Sequence, residues 1–290
     1  MADFRIFTDS SCDLPQSVAE ALSLTVLPLT FHYEDKQYYN YLDWREIDVH
    51  DFFNILRQGG VVKTSAANTE AFISAMEPVL AAGEDILYIG FSSALSGTYN
   101  AGAAAAAELS EKYPDRKVYA VDSLSASLGQ GLLLHHVVAE KRKGKSIDEV
   151  RDFAERTKLH LCHWFTVDDL MFLKRGGRVS ATTALVGTML GIKPVMHMDN
   201  NGRLINVDKA RGRKASIKAL VAKMGKLGTD LANQTVFICH GDCQSEAEFT
   251  AEMIRAQYGV KDIMIHPVGP VIGSHSGPGT LAIFFLGSER

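Results

Sequence analysis

At 290 residues the chain is longer than one hydrophobic core usually spans, and its 46% hydrophobic and 22% charged content excludes disordered, collagen-like and coiled-coil polymers. Two globular domains are expected. With 30 basic against 34 acidic residues the formal charge is -4, which excludes bulk attraction to nucleic acid or an anionic membrane, so any anion site has to be local.

The opening MADFRIFTDSSCDL has no long apolar run behind a basic segment, and later runs such as LAIFFL are too short to cross a bilayer. The expectation is a soluble cytosolic protein without stable membrane insertion. The first half alternates apolar runs (FRIFTD, TVLPLTF, DILYIGF, KVYAVDS) with amphipathic windows at 15–23, 43–58, 69–82 and 96–112, the last stopped by Pro114. That alternation predicts parallel strands joined by crossover helices. Helices at 125–142 and 146–158, the latter with a Ser146/Glu149 capping box, close this half near His160.

The second half offers HLCHWFTV, IKPVMHMD, RLINVDKA, QTVFICHG, DIMIHPVG and LAIFFLG as strands, with helices near 181–190, 214–227 and 245–258. Asn201-Gly202 lies between two of these runs and predicts a hairpin, so this sheet contains antiparallel pairing. The fold class is therefore α/β in two domains. Residues 1–159 form a parallel-sheet α/β/α domain, and residues 160–290 an α/β domain with a mixed sheet.

Four cysteines, Cys12, Cys162, Cys239 and Cys243, are too few for a disulfide scaffold. Cys239-His240-x-x-Cys243 lacks further ligands and Cys239 ends an apolar run, so a reduced core thiol is favoured and no metal is expected. His160 and His163 would face opposite sides of one strand and cannot form a metal pair; His135 and His136 read as packing or partly exposed helix residues.

Hydroxyls cluster after four apolar runs: Thr8, Ser10 and Ser11; Thr64 and Ser65; Ser92, Ser93, Ser96 and Thr98; and Ser123, Ser125 and Ser127. Each cluster could simply cap the next helix. Four on the carboxyl edge of one sheet favour a rim for a carboxylate or phosphate, where helix N-termini also point. Gly90-Phe91-Ser92-Ser93-Ala94 resembles a hydrolase nucleophile elbow but has Ala94 in place of the second glycine. Gly129-Gln130-Gly131 lacks the third glycine of a dinucleotide loop because Leu134 stands there, and no Walker A sequence occurs. His275 in VIGSHSGPG sits where glycines allow a ligand close, or merely turn the chain. KRGGR (174–178) and KARGRK (209–214) place arginines beside glycines, as phosphate contacts or as plain loops, while KRKGK (141–145) is a solvated helix end.

Together FTDSSCDLP, KTS at 63–65, GFSSALSGTYNAG, VDSLSASLGQG, DDLMFLKRGGRVS, GIKPVM, KARGRKA and PVIGSHSGPGTLAIFF resemble the DegV family from end to end. The resemblance implies a long-chain fatty acid held between two α/β domains, no cofactor and no catalytic residues of the chain's own. Bacterial members present the acyl carboxylate to a separate ATP-binding fatty acid kinase subunit and carry the acyl phosphate. By resemblance Thr64 and Ser96 hold the carboxylate, while Arg211 and His275 support phosphoryl transfer. The expected ligand-binding set is Thr64, Ser65, Ser96, Gly97, Thr98, Ser125, Arg178, His275 and Ser276. Ala66-Ala67 stands where many members carry Gln-Pro, a departure that bears on the shape of this loop. The rival expectation is a serine hydrolase using Ser92 or Ser93 with His275.

Overall fold

The computed structural model describes residues 3–180 and 191–290; the helix expected at 181–190 lies outside them. The chain runs β1 (Phe4–Asp9), α1 (Gln16–Ala21), β2 (Leu24–Leu27), β3 (Leu29–Tyr33), β4 (Lys36–Asn40), α2 (Val49–Arg57), β5 (Val62–Ser65), α3 (Thr69–Ala81) and β6 (Asp85–Gly90). Next come α4 (Thr98–Lys112), β7 (Val118–Asp122), α5 (Leu128–Arg142), α6 (Ile147–Thr157), β8 (Leu161–Thr166), α7 (Met171–Arg175), β9 (Ile192–Met198) and β10 (Leu204–Arg211). The remaining elements are α8 (Arg213–Leu227), β11 (Thr235–His240), α9 (Gln244–Tyr258), β12 (Asp262–Pro267), α10 (Pro270–Ser276) and β13 (Leu281–Leu286).

Three sheets organise these elements. The expected parallel sheet has the order β2-β1-β6-β7, with every pair parallel. The mixed sheet has the order β10-β9-β8-β13-β11-β12, in which only β11 and β12 run parallel. Its β9–β10 hairpin turns at Asn201-Gly202, where Gly202 takes φ +70° and its N–H donates to Asp199 O at 2.9 Å. Ser146 and Glu149 form their capping box.

The third sheet corrects the sequence reading. TVLPLTF is two strands, because Pro28, with no N–H and a fixed φ, separates β2 from β3. β3 leaves the parallel sheet and pairs antiparallel with β4 and β5. Thr64 and Ser65 therefore lie within β5 and do not follow a parallel strand. Expected helix starts also move: 43–58 begins at Val49, 96–112 at Thr98 and 125–142 at Leu128. VIGSHSGPG, expected as a loop, holds helix α10, with Pro270 in its first turn and a stop at Gly277, φ +79°.

Helix α5 explains how the sheets meet. Leu128, Leu132, Leu133, Leu134, Val137 and Val138 are all buried, so the helix is apolar around most of its circumference. It packs between Ile6, Leu87, Ile89 and Val121 of the parallel sheet and Phe165, Phe237 and Phe284 of the mixed sheet, in one continuous core. Phe72, Tyr88, Ala105 and Leu109 fill the far side of the parallel sheet beneath α3 and α4. Trp164, Ile217, Leu220, Ile254 and Phe285 fill the far side of the mixed sheet beneath α8 and α9. Among the described residues no helix is long and apolar enough to cross a membrane.

Candidate functional site

Where the carboxyl ends of β6 and β7 face the mixed sheet, the core opens into a cavity of about 160 Å³. One water needs roughly 10–15 Å³ of such space, so the cavity has room for an organic chain. Phe91, Leu95, Leu173, Val271, Ile272 and Ala282 are among its apolar walls. Such a lining favours an apolar ligand oriented by a few polar groups.

Polar groups gather where β5, α10 and the loop after β6 meet. Thr64 Oγ1 lies 2.8 Å from Nε2 of His275. Burial, and secondarily the charge of Arg178, lowers the His275 pKa to about 4, so the imidazole is neutral at pH 7. Its Nδ1 rests against Gly176, where a Cβ would collide with it. Ser96 lines the same wall, and its Oγ accepts from Thr98 N at 3.2 Å and lies 2.9 Å from Thr98 Oγ1. Arg178 lines it too: Nε donates to Leu95 O at 3.1 Å and Nη1 to Gly176 O. No Asp or Glu stands among the described lining residues, and burial lowers the Arg178 pKa. Among the described residues this partly buried guanidinium bonds only carbonyls, an arrangement electrostatically complementary to an anion.

Of the expected ligand-binding residues, Thr64, Ser65, Ser96, Gly97, Arg178, His275 and Ser276 line this cavity. Thr98 and Ser125 are buried beside the wall but do not line it. Arg211 lies exposed at the end of β10, paired with Ile192, and lines no part of it. The first hydroxyl cluster serves the fold. Thr8 Oγ1 donates to Ile89 O (2.8 Å), Ser10 Oγ accepts from Leu29 N (2.9 Å), and Ser11 Oγ donates to Asp9 and Gln130. From the last cluster Ser127 reaches the cavity, held by Asp13 Oδ2 at 2.5 Å.

The hydrolase arrangement does not form. Ser92 is buried and its hydroxyl donates to Gly202 O at 2.9 Å, while His275 pairs with Thr64. The Ser93 N–H donates to Asp122, and neither serine hydroxyl bonds His275. Cys239 is a free buried thiol in β11 whose pKa burial pushes up, and it forms part of the cavity floor. Sequence reasoning missed the apolar walls and the place of His163 in them, and it put Ser127 among the rim hydroxyls without including it in the ligand-binding set. The i, i+2 spacing of His163 and Phe165 puts both on one strand face, but only the packed sheet identifies that face as the cavity side.

This architecture has close relatives. A family profile described as "uncharacterised protein, DegV family" matches residues 3–288. A DegV domain-containing protein of Clostridium perfringens is 47% identical over 290 residues, covering 100% of this chain and 99% of that protein. A DegV lipid-binding protein of Thermotoga maritima is 31% identical, with TM-score 0.86 over 99% of each chain. A fatty-acid-binding DegV family protein of Thermus thermophilus is 28% identical, with TM-score 0.84 over 99% of this chain and 100% of that one. The apolar cavity with its charged mouth thus sits in a fold that lipid-binding proteins share, and this chain belongs to the DegV family.

Proposed function

We propose that the protein binds a long-chain fatty acid in this cavity and presents the carboxylate to a separate ATP-dependent kinase subunit, itself catalysing no turnover. One observation carries the reading: an apolar cavity without a carboxylate among its described lining residues ends at Arg178, Thr64, Ser96 and His275. The alkyl chain supplies affinity. At about 0.8 kcal/mol per buried methylene, roughly fifteen methylenes contribute on the order of 12 kcal/mol before ordering costs. The polar end sets orientation, with Thr64, Ser96 and Arg178 offering donors to the carboxylate oxygens.

Presentation rests on the mouth. A groove that shares Thr64, Arg178 and His275 with the cavity continues outward past Lys63 and Arg175 and has no acidic residue among its described lining residues. Positive potential there suits the charge that develops when a carboxylate oxygen attacks the γ-phosphorus of ATP held by the kinase, ADP leaves, and the acyl phosphate remains bound. Cytoplasmic placement follows from that ATP-dependent partnership.

The test is organic extraction of protein purified from a bacterial host, with mass spectrometry of the extract and thermal shift on adding fatty acid. A stoichiometric acyl chain, or a concentration-dependent rise in Tm for delipidated protein, is expected. Absence of both from folded protein overturns the reading.

A further inference from the structure

The groove outside the cavity mouth holds two cations that a bound fatty acid leaves without a partner. Lys63 stands next to Thr64 on β5, and Arg175 ends α7; both line the groove that Thr64, Arg178 and His275 share with the cavity. Their side chains are exposed and form no hydrogen bond or ion pair among the described residues. By contrast Arg57 of α2 pairs with Asp242 at 2.5 Å, Lys193 of β9 with Asp168 at 2.7 Å, and Arg213 of α8 with Glu246 at 2.8 Å.

Arg175 is held from one face. Its guanidinium carbon lies 4.5 Å from the centroid of the Phe172 ring, and that ring occupies the space where a Cβ on Gly277, φ +79°, would stand. Gly277 ends α10, the helix that carries His275, so the stacked guanidinium is tied to the head-group wall. Stacking leaves the donor edge of the fork free.

A carboxylate held by Thr64, Ser96 and Arg178 brings one negative charge and two acceptor oxygens. A phosphomonoester brings about 1.5 to 2 negative charges and three acceptor oxygens. Because the groove begins at residues assigned to the carboxylate, a phosphoryl group joined to a carboxylate oxygen enters it without a spacer, on the side where Lys63 and Arg175 stand.

We propose that this groove is a phosphoryl subsite that makes the protein hold a single-chain lipid ending in a phosphomonoester, of the acyl phosphate kind, more tightly than the free acid, an inference that rests on the fatty-acid reading. The alkyl chain makes the same contacts with either head group, so the preference comes from the charge-assisted bonds that the larger anion adds. Transfer then builds the group that the groove recognises, and the product is retained.

Octadecyl phosphate, which resists the hydrolysis that acyl phosphates undergo, is the probe. Delipidated full-length protein is titrated with it, with stearic acid and with 1-stearoyl-lysophosphatidate, by displacement of a fluorescent fatty acid. Wild type is expected to bind octadecyl phosphate at least about tenfold more tightly than stearic acid. In Lys63→Gln/Arg175→Gln that preference is expected to fall at least about fivefold while stearic acid affinity stays within about threefold, the exposed positions leaving the fold intact. Tight stearic acid binding with no preference for the phosphate, or with a preference that survives in the double variant, overturns the subsite and leaves the fatty-acid reading standing. Lysophosphatidate carries its phosphate a glycerol unit further from the chain, so binding it more tightly than octadecyl phosphate overturns direct attachment. Binding of none of the three lipids overturns both readings.

Discussion

Thr64 and His275 are hydrogen-bonded at 2.8 Å although 211 residues separate them, so the second half of the chain completes a pair that the first half begins. β5 presents the hydroxyl and α10 the imidazole. Because the ring is neutral, the Thr64 hydroxyl and a ligand carboxylate can share donors there without an ion pair. Removing the hydroxyl at constant shape isolates its part. Thr64→Val is expected to fold normally and to weaken fatty acid binding by about 1.5–3 kcal/mol, the range for hydrogen bonds to a charged group. The fatty acid methyl ester, which has no charge, is expected to bind wild type and variant alike. Equal loss for acid and ester would show that Thr64 shapes the wall and does not read the head group.

Gly176 controls the other side of the same imidazole. Its φ is -72°, which any residue adopts, so the backbone does not demand glycine. The demand comes from His275 Nδ1, which occupies the space a Cβ would take. Gly176→Ala is expected to destabilise the apo protein by about 1–3 kcal/mol through overpacking. His275→Ala should open that space, so the double variant is expected to be less destabilised than the sum of the single ones. Denaturant unfolding of the four proteins measures the coupling, and strict additivity would place the ring elsewhere.

Arg178 sets apo stability against ligand affinity. Its hydrogen bonds go to carbonyls of Leu95 and Gly176, and no acidic side chain faces it from the described cavity walls. Replacing a partly buried cation that has no acidic partner among the described residues by an apolar side chain of similar length relieves a desolvation cost. Arg178→Met is expected to leave the apo Tm unchanged or higher and to weaken fatty acid binding at least about tenfold, or 1.4 kcal/mol. A lower apo Tm with unchanged affinity would make Arg178 a structural residue.

What the sequence made legible follows the strength of each local signal. β1, β6 and β7 stand out as apolar runs, and the β9–β10 hairpin has its Asn-Gly turn. β4 (KQYYN), which follows β3 through the tight turn at Glu34-Asp35, and β5 (VKTS), which returns to β3 from beyond α2, are short and polar, so no apolar period-2 pattern marks them. α10 was hidden by its glycines, although Pro270 is a helix-start residue. For the site, hydroxyl clustering led to Thr64 and Ser96, but the same signal included Thr8, Ser10 and Ser11, which hold strands together. Distinguishing these two roles needs the direction each side chain faces, which tertiary packing decides.

Stability should depend on pH from both sides. Burial lowers His136, His197, His266 and His275 to about 4 in the folded protein, from 6.5. The unfolded chain binds protons first, so stability present above pH 6.5 is lost as pH falls toward 4. Asp13 acts with the opposite sign. Burial raises it to about 8, so its contribution is full below pH 3.8 and is lost as pH rises through 8. Asp13→Asn, which keeps a side-chain partner for Ser127, is expected to flatten the decline between pH 6.5 and 8 and to steepen the acid limb, where the Asp13 contribution no longer offsets that of the histidines. Tm measured across pH 4 to 9 for both proteins checks this, and parallel curves would remove Asp13 as the titrating group.

Holding the ligand and handing it over should separate at Arg211. Its side chain is exposed at the end of β10, outside the cavity that Thr64, Arg178 and His275 line. The family resemblance gives it a part in phosphoryl transfer, on the kinase side, where negative charge spreads over the migrating phosphoryl group and an arginine can stabilise the transition state without touching the bound acid. Arg211→Ala is therefore expected to retain fatty acid within about twofold of wild type, or 0.4 kcal/mol, and to support acyl phosphate formation at least about tenfold more slowly with any fatty acid kinase subunit that accepts the wild-type protein. His275→Ala behaves differently because its ring lines the cavity and bonds Thr64: both binding and transfer are expected to fall. Measured side by side, the two variants give a split in one case and a joint loss in the other. Loss of fatty acid from Arg211→Ala would move that residue into the binding site proper. Unimpaired transfer by Arg211→Ala would remove it from the mechanism and leave presentation to the cationic mouth of Lys63, Arg175 and Arg178.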